Sequence, residues 1–263
     1  MNNRSSTSIR KLYQKTAGLF SLSSTLNDIG CHSEYDLFNM ELYHVLNRGV
    51  DKRVIFLSDR DRLRFVNDLY DFNNENRVIN TSRSFQKLND IGCRSEKDER
   101  ILLVNIHAFC LMPNHYHLLL SPRVEGGISK FMKKINMGYA KYFNEKYKRS
   151  GALFQGKYKS VMVKKESHFI YLPYYIHLNP LDLNSPEWRM GKLNNLDKAT
   201  KFLENYRWSS FLDYIGKNNF PSVIFRNFIS DFFGNSKNYK DQIFNQLKEM
   251  NSEDKKVLNL ENE

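Results

Sequence analysis

The sequence predicts an α+β protein with a ferredoxin-like (RRM-like) antiparallel sheet backed by helices. Three observations predict it. The apolar patterns run in the order strand, helix, strand, strand, helix, strand, helix, which is the order of a split βαβ plan. Two of the strands are parted only by Pro113-Asn114, a turn pair that leaves room for nothing but a hairpin. A composition of 41% hydrophobic and 14% aromatic residues over 263 residues suits a chain that folds around a core.

The first strand is read in "FNMELYHVLNRG" (38–49), which stops at a glycine. Residues 59–76 place Leu63, Val66, Leu69 and Tyr70 at helical spacing behind Ser58, a capping residue. The apolar runs "RILLVNIHAFCLM" (100–112) and "HYHLLLSP" (115–122) are the two arms of the hairpin. "ISKFMKKINMGYAKYFNEKY" (128–147) reads as a helix with its basic residues largely on one side, and 151–165 as another strand or bent strand pair. Residues 167–180 begin at a serine and stop at Asn-Pro, as a helix does, although Pro173 removes one backbone donor inside it. Outside this plan lie an N-terminal extension (1–37), an insert (77–99) and a helical C-terminal extension (217–263) with a charged tail. One segment, "LNDIGCHSEYD" (26–36), returns as "LNDIGCRSEKD" (88–98), once in the extension and once in the insert. Both copies stand in polar surroundings and read as a duplicated surface loop.

Charge narrows the partners. Forty Lys and Arg against twenty-nine Asp and Glu give +11, a balance that favours a polyanion, either nucleic acid or an anionic membrane surface. No apolar run reaches the roughly 18 residues that cross a bilayer, and "AGLFSLSS" is too polar for a signal-peptide core, so a cytoplasmic location without a membrane is expected. Cys31, Cys93 and Cys110 form no CxxC pair and indicate neither a disulfide framework nor a zinc knuckle.

The chemistry concentrates in "MPNHYHLLL" (112–120). In a strand, residues i and i+2 share a face, so His115 and His117 project together while Tyr116 points away. Two adjacent imidazoles are half of a metal site, yet an HxH pair alone more often marks a solvated sheet face. Tyr175 and Asn179, at i and i+4, supply a phenol and an amide one helical turn apart. A tyrosine beside a divalent cation is a plausible nucleophile for phosphoryl transfer, because the cation offsets the charge gathering on phosphate oxygens. Chemistry alone does not choose Tyr175, since Tyr171 and Tyr174 share its helix and Tyr139, Tyr142 and Tyr158 compete for the role.

Four blocks, "YHVLNRG", "HAFCLMPNHYHLLL", "YFNEKYKRSGALFQGKYKS" and "YIHLNP", resemble in order and spacing the HUH single-tyrosine transposases of insertion sequences and their REP-associated relatives. The resemblance spans about residues 38–216 and implies a catalytic domain there. It implies His115 and His117 as metal ligands, Asn179 as the third, Tyr175 as nucleophile and Mg²⁺ or Mn²⁺ as the cofactor. The implied enzyme is a single-strand DNA endonuclease and strand transferase that cleaves and rejoins hairpin DNA through a 5′-phosphotyrosine link. Monomer and homodimer both fit. Lys130, Lys133, Lys134 and Lys141 on the basic helix, with Arg48 and Lys157, are the expected DNA contacts. Two other classes stay open: a catalytically inactive nucleic-acid-binding module on the same sheet, and a metal nuclease that uses water in place of the tyrosine.

Overall fold

The structure, a computed structural model, describes residues 41–76, 100–164, 166–190 and 192–249. Both copies of the repeated segment, the insert, the N-terminal extension and the charged tail from 251 lie outside the described residues.

Strands β1 (Tyr43–Arg48), β2 (Val104–Met112), β3 (His115–Pro122) and β4 (Lys159–Met162) form one antiparallel sheet in the order β2-β3-β1-β4. Helix α1 (Asp59–Asp71) joins β1 to β2, and α2 (Gly127–Lys146) joins β3 to β4. Each strand-helix-strand unit therefore holds a strand of the other unit between its own two, the ferredoxin-like α+β plan. The two inner strands explain the leucine run: β3 is covered on both faces, so its residues are buried without alternation.

Helices α1 and α2 cover one face. Phe65 of α1 and Tyr139 of α2 meet edge to face at 5.1 Å, and Phe65 packs on Tyr116 of β3 at 4.8 Å. The first turn of α1 is closed by a capping box in which Ser58 and Asp61 each accept from the other's backbone N–H. Asp61 also accepts from Lys146, Tyr142 and Tyr147. Burial alone would raise its pKa, but those donors outweigh it and hold the carboxyl below its usual range. The helices approach closely at Gly138, where a Cβ would stand 2.4 Å from the Phe72 ring.

Helix α3 (Glu166–Leu178) lies on the opposite face and runs through Pro173. It gives way at Asn179–Leu183 to a 3₁₀ turn with Pro180 in its first turn, followed by a second 3₁₀ turn at Pro186–Met190. The chain continues through α4 (Leu196–Asn205), α5 (Phe211–Tyr214), α6 (Asn227–Phe233) and α7 (Ser236–Glu249). Part of this segment covers the outer edge of β2: Leu111 N–H donates to the Trp208 carbonyl, Ser210 N–H to that of Phe109, and Phe225 N–H to that of Ile106. The fourth strand is shorter than the pattern over 151–165 suggests. Gly151 and Gly156 take φ of 85° and 136°, so the segment before Lys159 turns along the β1 end, where Gln155 N–H donates to the Arg48 carbonyl. Among the described residues no helix is long and apolar enough to cross a membrane.

Candidate active site

Strand register decides which side chains meet. His115 stands across from Arg48 and His117 across from Leu46, so Arg48, Leu46 and His44 of β1 share the face of the two histidines. Tyr116 points to the other face, where its hydroxyl donates to Asn136 of α2 at 2.6 Å. The histidine face is the one under α3. The Tyr175 ring lies 5.7 Å from that of His117 and 6.2 Å from that of His44, edge-on to both.

The hairpin tip fixes His115. Ile55 and Phe56 N–H groups donate to the Pro113 carbonyl, and Gly49 N–H donates to that of Asn114. Asp51 and Lys52 hold φ of 53° and 57°, a left-handed pair costing about 1–2 kcal/mol per residue. That bend presents the Lys52 carbonyl to the Asn114 amide at 3.1 Å. With Nδ2 committed to Lys52, Asn114 Oδ1 accepts from His115 Nδ1 at 2.6 Å. His115 is thereby the Nδ1–H tautomer, whose lone pair is on Nε2.

His117 is fully buried and shares a proton with a third imidazole: its Nδ1 lies 2.9 Å from Nε2 of His44, with the two rings stacked at 5.1 Å. When His117 is the donor, its lone pair is also on Nε2. A ligating histidine whose other nitrogen is held by an outer partner is the common arrangement around protein-bound metals. Asn179 is fully buried; its Nδ2 turns back to the Tyr175 carbonyl at 3.4 Å, which leaves Oδ1 facing outward as the acceptor. Two imidazoles and an amide oxygen suit a hard divalent cation with positions left for phosphate and water. Among the described residues no cluster of three or more His, Cys, Asp or Glu could hold a metal.

A second network closes over the phenol. Arg189 presents Nε and Nη2 side-on to the Asp182 carboxylate at 2.7 and 2.6 Å, and Trp188 Nε1 donates to the same carboxylate at 2.7 Å. The fork then points Nη1 to the Tyr175 hydroxyl at 3.2 Å and Nη2 to Asn179 Oδ1 at 3.4 Å. The guanidinium also lies 5.3 Å from the Tyr175 ring centre.

The back of α3 is pinned. Burial pushes His177 down to about 3, keeping it neutral, and pushes the Tyr239 phenol up, so Tyr239 donates to His177 Nδ1 at 2.6 Å. His177 Nε2 then donates to Ser210 Oγ at 2.8 Å, and that oxygen accepts from Phe109 N–H of β2. Tyr174 donates to Gln242 of α7. The residues on either side of Tyr175 thus tie the helix to the C-terminal segment while Tyr175 faces the histidines.

Four of the five competing tyrosines are placed elsewhere. Tyr139 is buried between α2 and α1 with its hydroxyl on the Ile55 carbonyl, and burial raises its pKa. Tyr142 donates to Asp61, Tyr158 meets Ser129, and Tyr174 lies on the C-terminal helices. Arg48 shares the histidine face, and Lys157 follows Gly156, whose carbonyl accepts from Asn47. Lys130, Lys133, Lys134 and Lys141 ride on α2, across the sheet from the histidines. Lys134 donates to the carbonyls of Asn74, Glu75 and Asn76, while Lys130 pairs with Glu75 and Lys141 with Glu145. Cys110, beside His117 on β2, is buried and forms no disulfide. Sequence reasoning missed His44, Lys159, Asp182, Trp188 and Arg189. The i,i+2 rule applied to "YHVLNRG" reaches His44 once Arg48 is suspected, and the β4 register then brings Lys159 to the same face opposite Leu46.

Residues 73–179 match the sequence model of the IS200-like transposases. No curated protein matches the chain. Among solved structures, it is similar to a REP-associated tyrosine transposase bound to a REP hairpin, at 11% identity and a TM-score of 0.41, over 74% of this chain and 90% of that one. The matched segment contains both strand histidines, Tyr175 and Asn179, and over it the chain is similar to the IS200-like transposases.

Proposed function

We propose that the protein is a metal-dependent single-strand DNA endonuclease and strand transferase with Tyr175 as nucleophile. The observation that carries this reading is that Tyr175 sets its ring against His117 on the face that also holds His115. His115 and His117, through Nε2, and Asn179, through Oδ1, would hold Mg²⁺ or Mn²⁺. When bound, the cation would polarise a phosphate oxygen and offset charge in the transition state.

The chain's own residues supply the rest. Asn114 and His44 hold the two imidazoles in orientation, and the His177–Ser210 and Tyr174–Gln242 bonds hold the helix that presents the phenol. The Tyr175 oxygen attacks a DNA phosphorus and the bond to the 3′-oxygen breaks. The phenol proton passes to solvent and the 3′-oxygen leaves as a hydroxyl, so the strand stays attached through its 5′-phosphate. A second 3′-hydroxyl can reverse the step and reseal DNA without a nucleotide cofactor. Hairpin DNA with single-stranded flanks is the proposed substrate. Arg48, Lys157 and Lys159 would meet it at the histidine face, and exposed lysines of α2 would track its backbone around the sheet.

The test is incubation with a flanked hairpin oligonucleotide and Mg²⁺ or Mn²⁺, followed by a denaturing gel. A protein-DNA adduct that forms with wild type and not with Tyr175→Phe supports the reading. Cleavage that survives Tyr175→Phe would instead indicate hydrolysis by water, and binding without cleavage would indicate a non-catalytic module.

A further inference from the structure

We propose that Arg189 is a catalytic residue of the same site, resting on the tyrosine reading above: it holds the nucleophilic oxygen and supplies the positive charge that receives the attacked phosphate. Three observations carry this.

The first is geometry. Arg189 Nη1 donates to the Tyr175 hydroxyl at 3.2 Å and Nη2 donates to Asn179 Oδ1 at 3.4 Å, so one planar group touches the reacting oxygen and the amide acceptor beside it. The second is how the group is held. Asp182 takes Nε and Nη2 in a side-on pair, and Trp188 fixes Asp182 through its indole N–H. A guanidinium clamped on that edge has one remaining direction for Nη1, which is toward Tyr175; a lysine ammonium has no such fork and could not serve both partners. The third is exposure. Tyr175 is only 3% exposed, whereas the Arg189 side chain is 26% exposed. A phosphodiester approaching Tyr175 from solvent therefore meets the guanidinium with the phenol.

The chemical role follows. As the phenol oxygen bonds to phosphorus and the 3′-oxygen leaves, negative charge builds on the phosphoryl oxygens, and a preoriented cation beside the attacking atom stabilises it without rearrangement. In the reverse step the phenol oxygen departs from phosphorus and takes up a proton from solvent. The same Nη1 donor then receives it back in place. Asp182 and Trp188 are positioning residues, acting only through the guanidinium.

The experiment follows single-turnover adduct formation on the flanked hairpin oligonucleotide with Mn²⁺ for wild type, Arg189→Lys, Arg189→Gly and Tyr175→Phe. Both Arg189 variants should form adduct about a hundredfold more slowly, the loss typical of removing one preorganised transition-state donor. Millimolar guanidinium should restore part of the rate to Arg189→Gly and leave Arg189→Lys and wild type unchanged. Hairpin affinity, measured in the Tyr175→Phe background to isolate binding, should change far less than the rate. Thermal midpoints of all variants report whether the fold survives. Wild-type rates in both Arg189 variants would overturn the role of Arg189 and leave Tyr175 as nucleophile. A loss that guanidinium does not restore would make Arg189 structural and overturn it too. Absence of adduct with wild type would overturn the tyrosine reading itself, and the role of Arg189 with it.

Discussion

The two faces of the sheet use the same kinds of side chain in opposite ways. On the α1/α2 face, tyrosine hydroxyls end on groups that do not titrate near neutrality: Tyr139 on a backbone carbonyl and Tyr116 on an amide. On the α3 face the polar atoms end on one another: imidazole on imidazole, and guanidinium on phenol and amide. Successive residues of β3 serve the two faces, with His115 and His117 toward one and Tyr116 toward the other. The first arrangement only satisfies buried groups, which is what folding requires. The second gathers imidazoles, a guanidinium, a phenol and an amide against one another, which folding does not require.

The strongest way to break this comparison is to remove the same hydroxyl from each face. Tyr175→Phe should abolish the DNA adduct and leave stability within about 1 kcal/mol. Tyr139→Phe strands the Ile55 carbonyl among aromatic rings and should cost about 1–3 kcal/mol by chemical denaturation while the adduct still forms. If the Tyr139 variant lost the adduct and the Tyr175 variant kept it, the faces would have been assigned the wrong way round.

The next test stays within the histidine face. His115→Ala or His117→Ala should abolish Mn²⁺ binding, read by electron paramagnetic resonance of the unbound ion. His44→Phe, which keeps a ring of similar size but cannot hold His117 Nδ1, should weaken Mn²⁺ about 10–100-fold, as losing an outer partner of a ligating histidine does. Unchanged affinity in His44→Phe would show that the His44–His117 contact is packing and nothing more.

How far this face could be read from sequence depends on distance along the chain. The two strand histidines and the i,i+4 pair of Tyr175 and Asn179 are local, and the periods of strand and helix place them without a fold. The order of elements likewise sufficed for the sheet, because a hairpin and two crossover helices leave few topologies open. His44 was not legible as a partner: it lies 73 residues from His117, and only the β1-β3 register brings them together. Arg189 was hidden for another reason. It follows Asn179 by ten residues through two 3₁₀ turns, a path with no periodicity to extrapolate. The α2 lysines show the converse. Their spacing marked a basic stripe, but which sheet face that helix covers is a property of the assembled fold.

A smaller test concerns packing beneath the α1/α2 face. Gly138→Ala adds a methyl group 2.4 Å from the Phe72 ring. Better helix propensity would contribute about 1 kcal/mol. Displacing Phe72 costs about 1–3 kcal/mol, so the expected outcome is a modestly lower unfolding midpoint with an unchanged adduct rate. A raised midpoint would show that the ring swings aside at little cost.

The finest test uses a histidine of the sheet outside the site. His107 sits in the β2 bulge, fully buried, with Nε2 2.8 Å from Ser121 Oγ and its ring against Phe225. Burial pushes it down to about 3, against a weaker opposing bond to the Phe225 backbone, so the folded protein refuses a proton that the unfolded chain accepts near pH 6.5. Because the folded value is the lower one, stability from this group is present above pH 6.5 and is lost as pH falls toward 3. The slope is about 1.4 kcal/mol per pH unit. Asp68 and Asp213 work in the opposite sense: burial raises them to about 7 and about 6, so the folded state gains on acidification through much of the same window. The wild-type stability curve is therefore flattened by opposing groups and does not reveal His107. The difference between wild type and His107→Gln does, since glutamine retains a polar group for Ser121 but takes up no proton. Denaturant unfolding at pH 7, 6 and 5 should show the variant gaining on wild type by about half that slope on the first step, which straddles pH 6.5, and by close to it on the second. Parallel curves would mean that His107 titrates alike in the folded and unfolded chains, and the division between histidines that pack and histidines that serve a site would lose its control.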